Sequence, residues 1–346
     1  MNKQLKIVKS SYDPKDVTML VKDLTGLVTP VTVAEKDEMV KNGAFERSIM
    51  IKEYPMNQEY EDYITSRFDM YIPSTAVAVA SVAEQIYKAK GNDLVLVSIV
   101  RAGIPIGILI KRYLEHTYHV EIPHYAVSLV KGLDDNAMKY ILSKHKAEGI
   151  QFIDGWTGKG TVTNELVESA KNYPGVDASL AVLSDVTGLA KYAGIRDDFA
   201  VPSAPMNACA TGLVSITVFN NDVVGPDDFH GAMYLKDLES HDHSRDFVDM
   251  VTEYMISHNL TIIPETHPAV YLECPEVARD IGVDMKKLNP GINEAARAIL
   301  RRDLKELLVR RADDWDVQVI VSLARMKGVA IREYPLKTYK AISVAK

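Results

Sequence analysis

Apolar residues follow two periodicities along this chain, and the change between them falls near residue 94. Before that point they recur every three or four positions, which predicts helices from Pro14, from about Thr32 and over residues 59–91. Ser11 or Asp13 would cap the first of these helices. Beyond residue 94 the apolar residues form short unbroken runs, which are typical of strands buried on both faces of a parallel sheet.

Four apolar runs are each followed by a turn and then by further structure. They cover residues 94–100, 123–130, 150–154 and 179–186. Strand, turn and helix in alternation predict an α/β fold, a right-handed parallel sheet with helices on both faces. After the fourth run we predict only a short helix, over residues 187–194.

The length of 346 residues allows more than one structural unit. We predict an N-terminal helical extension over residues 1–60, an α/β core over residues 61–220 and a smaller α/β or helical unit over residues 221–346. The pattern of the last unit is the least regular of the three.

The composition is that of a soluble globular protein, with 47% hydrophobic and 25% charged residues. A net charge of −7 gives no strong nucleic-acid signal. Two cysteines, Cys209 and Cys274, provide neither a disulfide framework nor a zinc quartet. The polar N-terminus and the lack of a long apolar stretch favour a cytoplasmic protein that does not cross a membrane. A homodimer is possible.

One strand end is unusually polar, in the segment FIDGWTGKG at residues 152–160. Glycines there allow close backbone approach, and the helix that follows turns its first N–H groups outward. Lys159 adds a cation, and the threonines add hydroxyl donors. Asp154, just before the turn, is suited to accept hydrogen bonds from ribose hydroxyls or to hold magnesium through water. The segment predicts a phosphate site, although its spacing does not fit a Walker A loop.

The same segment resembles the phosphoribosyl pyrophosphate (PRPP) loop of type I phosphoribosyltransferases, with Gly155 where a second acid is usual. The upstream turn in SIVRAGIPIG resembles the pyrophosphate turn of that fold, and residues 131–141 stand where its mobile hood would be. The resemblance implies PRPP and Mg²⁺ as ligands, with Asp154 also at the metal. It implies catalytic roles for Asp154, Arg101 and Lys131. The substrate-binding residues that we infer are Ala102, Gly103, Gly155, Trp156, Thr157, Gly158, Lys159, Gly160, Thr161 and Asn207.

Several stretches also resemble a bacterial family of tellurite- and stress-resistance proteins that carries two labels, phosphoribosyltransferase-like and cysteine protease. They include SSYDPKDVTMLVKDL, KGLDDNAMKYIL and PSAPMNACATGLVS. The resemblance implies phosphoribosyl transfer to a small nucleobase-like acceptor in a stress pathway. Two alternatives stay open, a peptidase that uses Cys209 and a sensor that binds a phosphoribosyl ligand or nucleotide without turnover.

Overall fold

A parallel six-stranded sheet forms the centre of the computed structural model, which describes residues 6–346. The first seven strands are β1 (Thr18–Met19), β2 (Lys22–Asp23), β3 (Val95–Ile99), β4 (His124–Val127), β5 (Ile150–Ile153), β6 (Leu180–Ser184) and β7 (Tyr192–Ile195). The order in the main sheet is β1-β4-β3-β5-β6-β7, and every pairing is parallel. Such an arrangement brings the carboxyl ends of the strands to one edge.

Helices cover both faces of this sheet. Helix α1 (Val33–Lys41) has no buried residue, and the helices that pack in the cores beside the sheet are α2 (Gln58–Thr65), α3 (Phe68–Lys90), α4 (Gly103–Tyr118), α5 (Asp135–Leu142), α6 (Thr161–Ala170) and α7 (Ser244–Ser257). Leu96 and Ile153 pack in the cluster that contains α3, α4 and α7, whereas Val97 and Phe152 pack in the cluster of α5 and α6. Alternate side chains of a strand point to opposite faces, so these unbroken apolar runs fill two cores.

The C-terminal residues build a second, smaller sheet. Strand β8 (Gly231–Ala232) precedes this sheet and pairs with β2. The strands and helices of the C-terminal region are α8 (Cys274–Asp280), β9 (Leu288–Pro290), α9 (Ile292–Arg301), β10 (Leu304–Val309), α10 (Gln318–Met326), β11 (Ala330–Glu333) and β12 (Ala341–Ala345). The order is β11-β10-β12-β9, with only the β10–β11 pair parallel. We call residues 273–346 the C-terminal unit.

The C-terminal unit is joined to the core through buried polar contacts. The carboxylate of Asp198 accepts hydrogen bonds from the N–H groups of Ile292, at 2.9 Å, and Lys340, at 2.8 Å. Helix α9 also packs against the buried turn Ala204–Ala210. Its first turn and its apolar face are therefore fixed against the edge of the main sheet where the strands end.

The α/β class with a parallel sheet between helices is confirmed. Two predicted helices are wrong. The segment after Pro14 forms a turn and β1, because Thr18 and Met19 pair with β4 at the edge of the main sheet. The segment 187–194 forms a turn and the start of β7, which pairs with β6. In both places pairing with a neighbouring strand overrides the local helical pattern.

The three predicted units are more interwoven in the structure than their boundaries suggest. The N-terminal extension supplies β1 to the main sheet, and its first five residues lie outside the described part of the chain. Helix α7, from the region predicted as the last unit, packs against α3 and α4. The second sheet begins only with β9. No helix within residues 6–346 is both long and apolar enough to span a bilayer.

The segment expected to be a mobile hood, residues 131–141, is instead part of the packed core. Most of it is α5, whose Ala137, Met138 and Ile141 are fully buried against the sheet. Asp134 is buried as well, and it caps this helix by accepting a hydrogen bond from the N–H of Ala137 at 3.0 Å. The expectation fails because α5 has an apolar face that the sheet covers.

Candidate functional site

A cleft of about 470 Å³ opens at the carboxyl ends of the central strands, and the C-terminal unit forms its other wall. The core contributes the ends of β3 and β5 and the loop between β5 and α6. The C-terminal unit contributes Lys286, Leu288, Asn289, Pro290, Glu294, Arg297 and Arg302. The cleft therefore exists only where the two parts of the chain meet.

Cations outnumber carboxylates around this cleft, although the protein as a whole is acidic. Six basic side chains line it: Arg47, Arg101, Lys159, Lys286, Arg297 and Arg302. Three acidic side chains line it: Asp154, Glu165 and Glu294. A concave site with a local excess of positive charge favours an anionic ligand.

The loop from β5 to α6 presents a row of N–H groups to the cleft. Among the described residues, no hydrogen-bond acceptor is found for the backbone N–H groups of Gly158 through Thr163, and all six residues line the cleft. Gly160 has a left-handed φ of 84° and starts α6 from that conformation. The arrangement combines a backbone nest with a helix N-terminus, two features that bind anions.

Contacts on its outer side hold this loop in place. The N–H of Thr157 donates to Ser184 O at 3.0 Å, and its hydroxyl donates to the buried carboxylate of Asp185 at 2.6 Å. The Tyr339 hydroxyl donates to Gly158 O at 3.1 Å, and this hydrogen bond links the loop to the segment just before β12 in the C-terminal unit. Lys159 donates to Leu288 O at 2.8 Å rather than pointing freely into solvent.

Asp154 lies at the bottom of the cleft, at the end of β5. Its Oδ1 accepts a hydrogen bond from the N–H of Gly155 at 2.8 Å. Burial raises the pKa of this carboxyl to about 7, against the lowering effects of that hydrogen bond and of Arg297. The carboxyl therefore changes its charge near neutral pH, and a pKa shifted in this way is common among carboxyls of functional sites.

The turn after β3 forms a second potential anion contact. No acceptor is found within residues 6–346 for the N–H groups of Arg101, Ala102 and Gly103. Arg101 is 6% exposed, and its Nη1 pairs with Glu53 at 2.6 Å, while its Nε and Nη2 have no partner in the described part of the chain. At Gly103 a Cβ would lie 2.3 Å from the carbonyl oxygen of Ile153, so close approach to β5 requires glycine there.

A small cluster from both units stands between the two turns. Trp156 Nε1 donates to Glu294 Oε1 at 3.0 Å, and the Arg297 guanidinium donates to the same oxygen at 2.8 Å. Arg297 also lies 5.8 Å from the Trp156 ring centre. Asn207 lies behind this cluster, in a narrow side pocket with Arg101 and Arg297, and does not line the main cleft.

The structure brings together most of the residues that the sequence singled out, but Asn207 and Lys131 do not line the cleft. Ala102 and Asp154 line the cleft together with Trp156 and the loop 157–161, and Gly155 lies beside Ala102. Lys131 does not: its Nζ lies over the rings of Phe45 and Phe219, at 5.8 and 5.6 Å. Arg47, which the sequence did not indicate, lines the cleft, and its Nη1 forms an ion pair with Glu165 Oε1 at 2.8 Å.

Neither cysteine is placed as a nucleophile. Cys209 is 5% exposed, and burial together with the nearby carboxylates of Glu61 and Asp242 raises the pKa of its thiol to about 12. Burial likewise raises the pKa of Cys274 to about 11. A nucleophilic thiol needs the opposite setting, an exposed and electropositive one.

Sequence reasoning missed every cleft residue of the C-terminal unit, above all Glu294 and Arg297. Their segment, NEAARAILRR, has the charge pattern of an ordinary amphipathic helix, with nothing to mark one polar face as a cleft wall. The left-handed φ of 86° at Gly291, before α9, and the anchoring of the helix N-terminus by Asp198 appear only in the folded chain.

Two family models match the chain, one after the other. The model described as tellurite-like stress resistance cysteine protease StiP matches residues 10–252. The model described as PELOTA RNA binding domain matches residues 273–346, which are the C-terminal unit. A protein named cysteine protease StiP from Acinetobacter baylyi is 27% identical over 365 residues, covering 96% of this chain and 93% of that protein.

Solved phosphoribosyltransferases show a weak likeness to part of the chain. The xanthine-guanine-hypoxanthine phosphoribosyltransferase of Helicobacter pylori has 19% identity and a TM-score of 0.24, covering 33% of this chain and 72% of that one. The hypoxanthine phosphoribosyltransferase of Trypanosoma cruzi has 22% identity and a TM-score of 0.24, covering 41% and 74%. A likeness at this level carries no argument about activity.

Proposed function

The chain belongs to the StiP family, and within that family we propose that it is a phosphoribosyltransferase-like enzyme that binds PRPP. The observation that carries the proposal is the row of N–H groups from Gly158 to Thr163 without acceptors among the described residues, facing a cleft with an excess of cations. The second substrate is a small nucleobase-like acceptor, and the stress-resistance family gives the physiological setting.

Different residues of the cleft would bind different parts of PRPP. The 5-phosphate would lie on the N–H groups of the loop from Gly158 to Thr163, and Asp154 would accept from the ribose. The pyrophosphate would lie against the turn Arg101–Gly103 and the arginines of the opposite wall. The bond from the anomeric carbon to pyrophosphate breaks, the acceptor nitrogen bonds to that carbon, and its proton passes to water. Catalysis is then positioning plus stabilisation of the departing anion.

Magnesium fits this cleft as an ion held jointly with the ligand. Mg²⁺ commonly takes one or two carboxylates together with phosphate oxygens and waters. Asp154 supplies a carboxylate, and within residues 6–346 no group of three or more ionisable ligands forms a cage of protein atoms alone. When bound, the ion would neutralise charge on the pyrophosphate.

Calorimetry with PRPP and Mg²⁺, followed by a pyrophosphate-release assay with a panel of bases, tests the proposal. Binding with release for one base supports transfer. Binding without release for any base supports the alternative of a sensor that holds a phosphoribosyl ligand. Failure of PRPP to bind contradicts both.

The peptidase alternative depends on Cys209, whose burial and raised pKa oppose it. We expect Cys209→Ala to retain PRPP binding and pyrophosphate release. A peptidase activity of the wild-type protein that disappears in this variant would overturn that expectation. The same assay on Cys274→Ala serves as the matched control, since both thiols are buried.

A second candidate function concerns RNA. The C-terminal unit matches a model described as an RNA binding domain, and its 74 residues carry fifteen lysines and arginines against eleven acidic residues. We propose that this unit contacts RNA phosphates, a role compatible with a cleft activity in the same chain.

A further inference from the structure

Helix α9 places a carboxylate of the C-terminal unit inside the cleft. Glu294 Oε1 accepts two hydrogen bonds, from Trp156 Nε1 at 3.0 Å and from Arg297 at 2.8 Å. No donor among residues 6–346 reaches its Oε2, and the side chain is one-third exposed to the cleft. Burial alone would raise the pKa of Glu294, but Arg297 and the Trp156 hydrogen bond lower it, so the group is ionised at neutral pH.

The carboxylate of Asp154, on the opposite wall, is likewise hydrogen-bonded at only one of its two oxygens within the described residues. Its Oδ1 accepts from the N–H of Gly155, and no described donor reaches its Oδ2. The two carboxyls line the same cleft, and Glu294 is hydrogen-bonded to Trp156, which follows Asp154 by two residues. Glu294 Cγ also lies only 3.9 Å from the Cβ position of Gly158, in the loop that presents the N–H row.

Two carboxylate oxygens in one cleft, each without a donor among the described residues, can accept the two hydrogen bonds of a vicinal diol. A diol offers two neighbouring O–H donors, and an ionised carboxylate is their strongest protein acceptor. Resting on the proposed function, we propose that Glu294 and Asp154 together bind the 2- and 3-hydroxyls of the ligand ribose. Glu294 is thus a substrate-binding residue that the C-terminal unit supplies, and the ligand class is ribo rather than deoxyribo.

This assignment gives the C-terminal unit a direct part in ligand choice. The residue after Asp154 is Gly155, so the loop itself offers only one carboxylate to the diol. Trp156 and Arg297 hold Glu294 in the orientation that leaves Oε2 available. A ligand with a single hydroxyl would leave one ionised carboxylate without a donor in a partly buried site, which is unfavourable.

Calorimetry with ribose 5-phosphate, 2-deoxyribose 5-phosphate, 3-deoxyribose 5-phosphate and inorganic phosphate tests the inference. We expect the wild-type protein to prefer ribose 5-phosphate over each deoxy sugar by about 10- to 100-fold, as for loss of a hydrogen bond to a charged group. Glu294→Gln keeps an acceptor for Trp156 and Arg297 but replaces Oε2 by a donor. This variant should lose the preference over one deoxy sugar and keep its affinity for inorganic phosphate.

Two further variants make the outcome decisive. Glu294→Asp keeps the charge but withdraws the carboxylate by one methylene, and it should lose the same preference. Glu306→Gln removes an exposed ion pair with Arg332 in the same unit and should change no affinity. If Glu294→Gln and Glu294→Asp retain both preferences, this inference fails while the proposed function stands. If the wild-type protein binds none of the sugar phosphates, both fail.

Discussion

Asp154 lies at the end of β5, in the same cleft as the loop Thr157–Thr161 and Glu294 of the opposite wall. Its place at the end of β5 follows from the apolar run before it, which the sequence displays. The raised pKa of Asp154 does not follow from the sequence, because its burial and the nearby charge of Glu294 arise only when the chain folds. The identity of the group was predictable, whereas its protonation state near pH 7 was not.

The pH dependence of ligand affinity should report this carboxyl. Oδ1 of Asp154 already accepts from Gly155, and only in the ionised form is Oδ2 free of a proton and able to accept fully from a ribose hydroxyl. Affinity for ribose 5-phosphate should therefore rise as pH increases from about 6 to about 8, through the pKa of about 7. Asp154→Asn should bind more weakly at pH 8 and lose this rise. Calorimetry across the pH range measures both.

The control for that series is methyl phosphate, a monoester without ribose hydroxyls, because a phosphate monoester itself ionises near pH 6. Subtracting its pH profile leaves the part that belongs to Asp154. A wild-type profile for ribose 5-phosphate that parallels the one for methyl phosphate would contradict the assignment.

At the level of elements, the loop between β5 and α6 depends on one glycine more than on the others. Gly155 and Gly158 have ordinary φ values and space for a methyl group, the nearest atoms lying 3.7 and 3.9 Å from their Cβ positions. Gly160 has a φ of 84°, and its Cβ would lie 3.0 Å from Leu189. The left-handed turn that aims the N–H row into the cleft is therefore made at Gly160.

Gly160→Ala should weaken anion binding as well as the fold. A left-handed conformation costs a non-glycine residue about 1–2 kcal/mol, and relief of that strain would rotate the N–H groups away from the ligand. We expect the free energy of unfolding to fall by that amount and phosphate affinity to fall by about tenfold or more. Denaturant titration and calorimetry measure the two effects.

Gly328→Ala is the matched control, since Gly328 also has a left-handed φ, of 70°, with open space around its Cβ position and no place in the cleft. It should lose stability to a similar extent and keep its phosphate affinity. Equal affinities for the two variants would show that the turn at Gly160 does not shape the anion site.

Considered as a whole molecule, the chain separates its charge between its parts. The C-terminal unit has a net charge of +4, so the remainder of the chain has −11 within the total of −7. The net charge of the whole chain, which gave no strong nucleic-acid signal, is therefore negative although one of its units is basic. That unit turns some of its cations toward the cleft and others toward solvent.

The basic unit predicts salt-sensitive binding of RNA by the full-length chain. Fluorescence anisotropy with a labelled single-stranded RNA should show an affinity that falls steeply with rising salt. Replacing the exposed Lys305, Arg325 and Arg332 by glutamine should weaken it by about tenfold and flatten the salt dependence. Replacing the exposed Lys88, Lys144 and Lys171 of the core removes the same charge and should have little effect. Equal losses in both triple variants would argue against a site on the C-terminal unit.

The sequence by itself determined the α/β class and four of the six strands of the central sheet, and it predicted the loop Thr157–Thr161 as an anion site. These depend on local periodicity and on short-range turn chemistry, which neighbouring residues specify. Only the tertiary structure decided that Glu294 and Arg297 complete the cleft and that Lys131 stays outside it. It also placed β1 in the main sheet in place of the predicted helix. The physical reason is that these features depend on contacts between residues more than eighty positions apart, and no local pattern encodes such contacts.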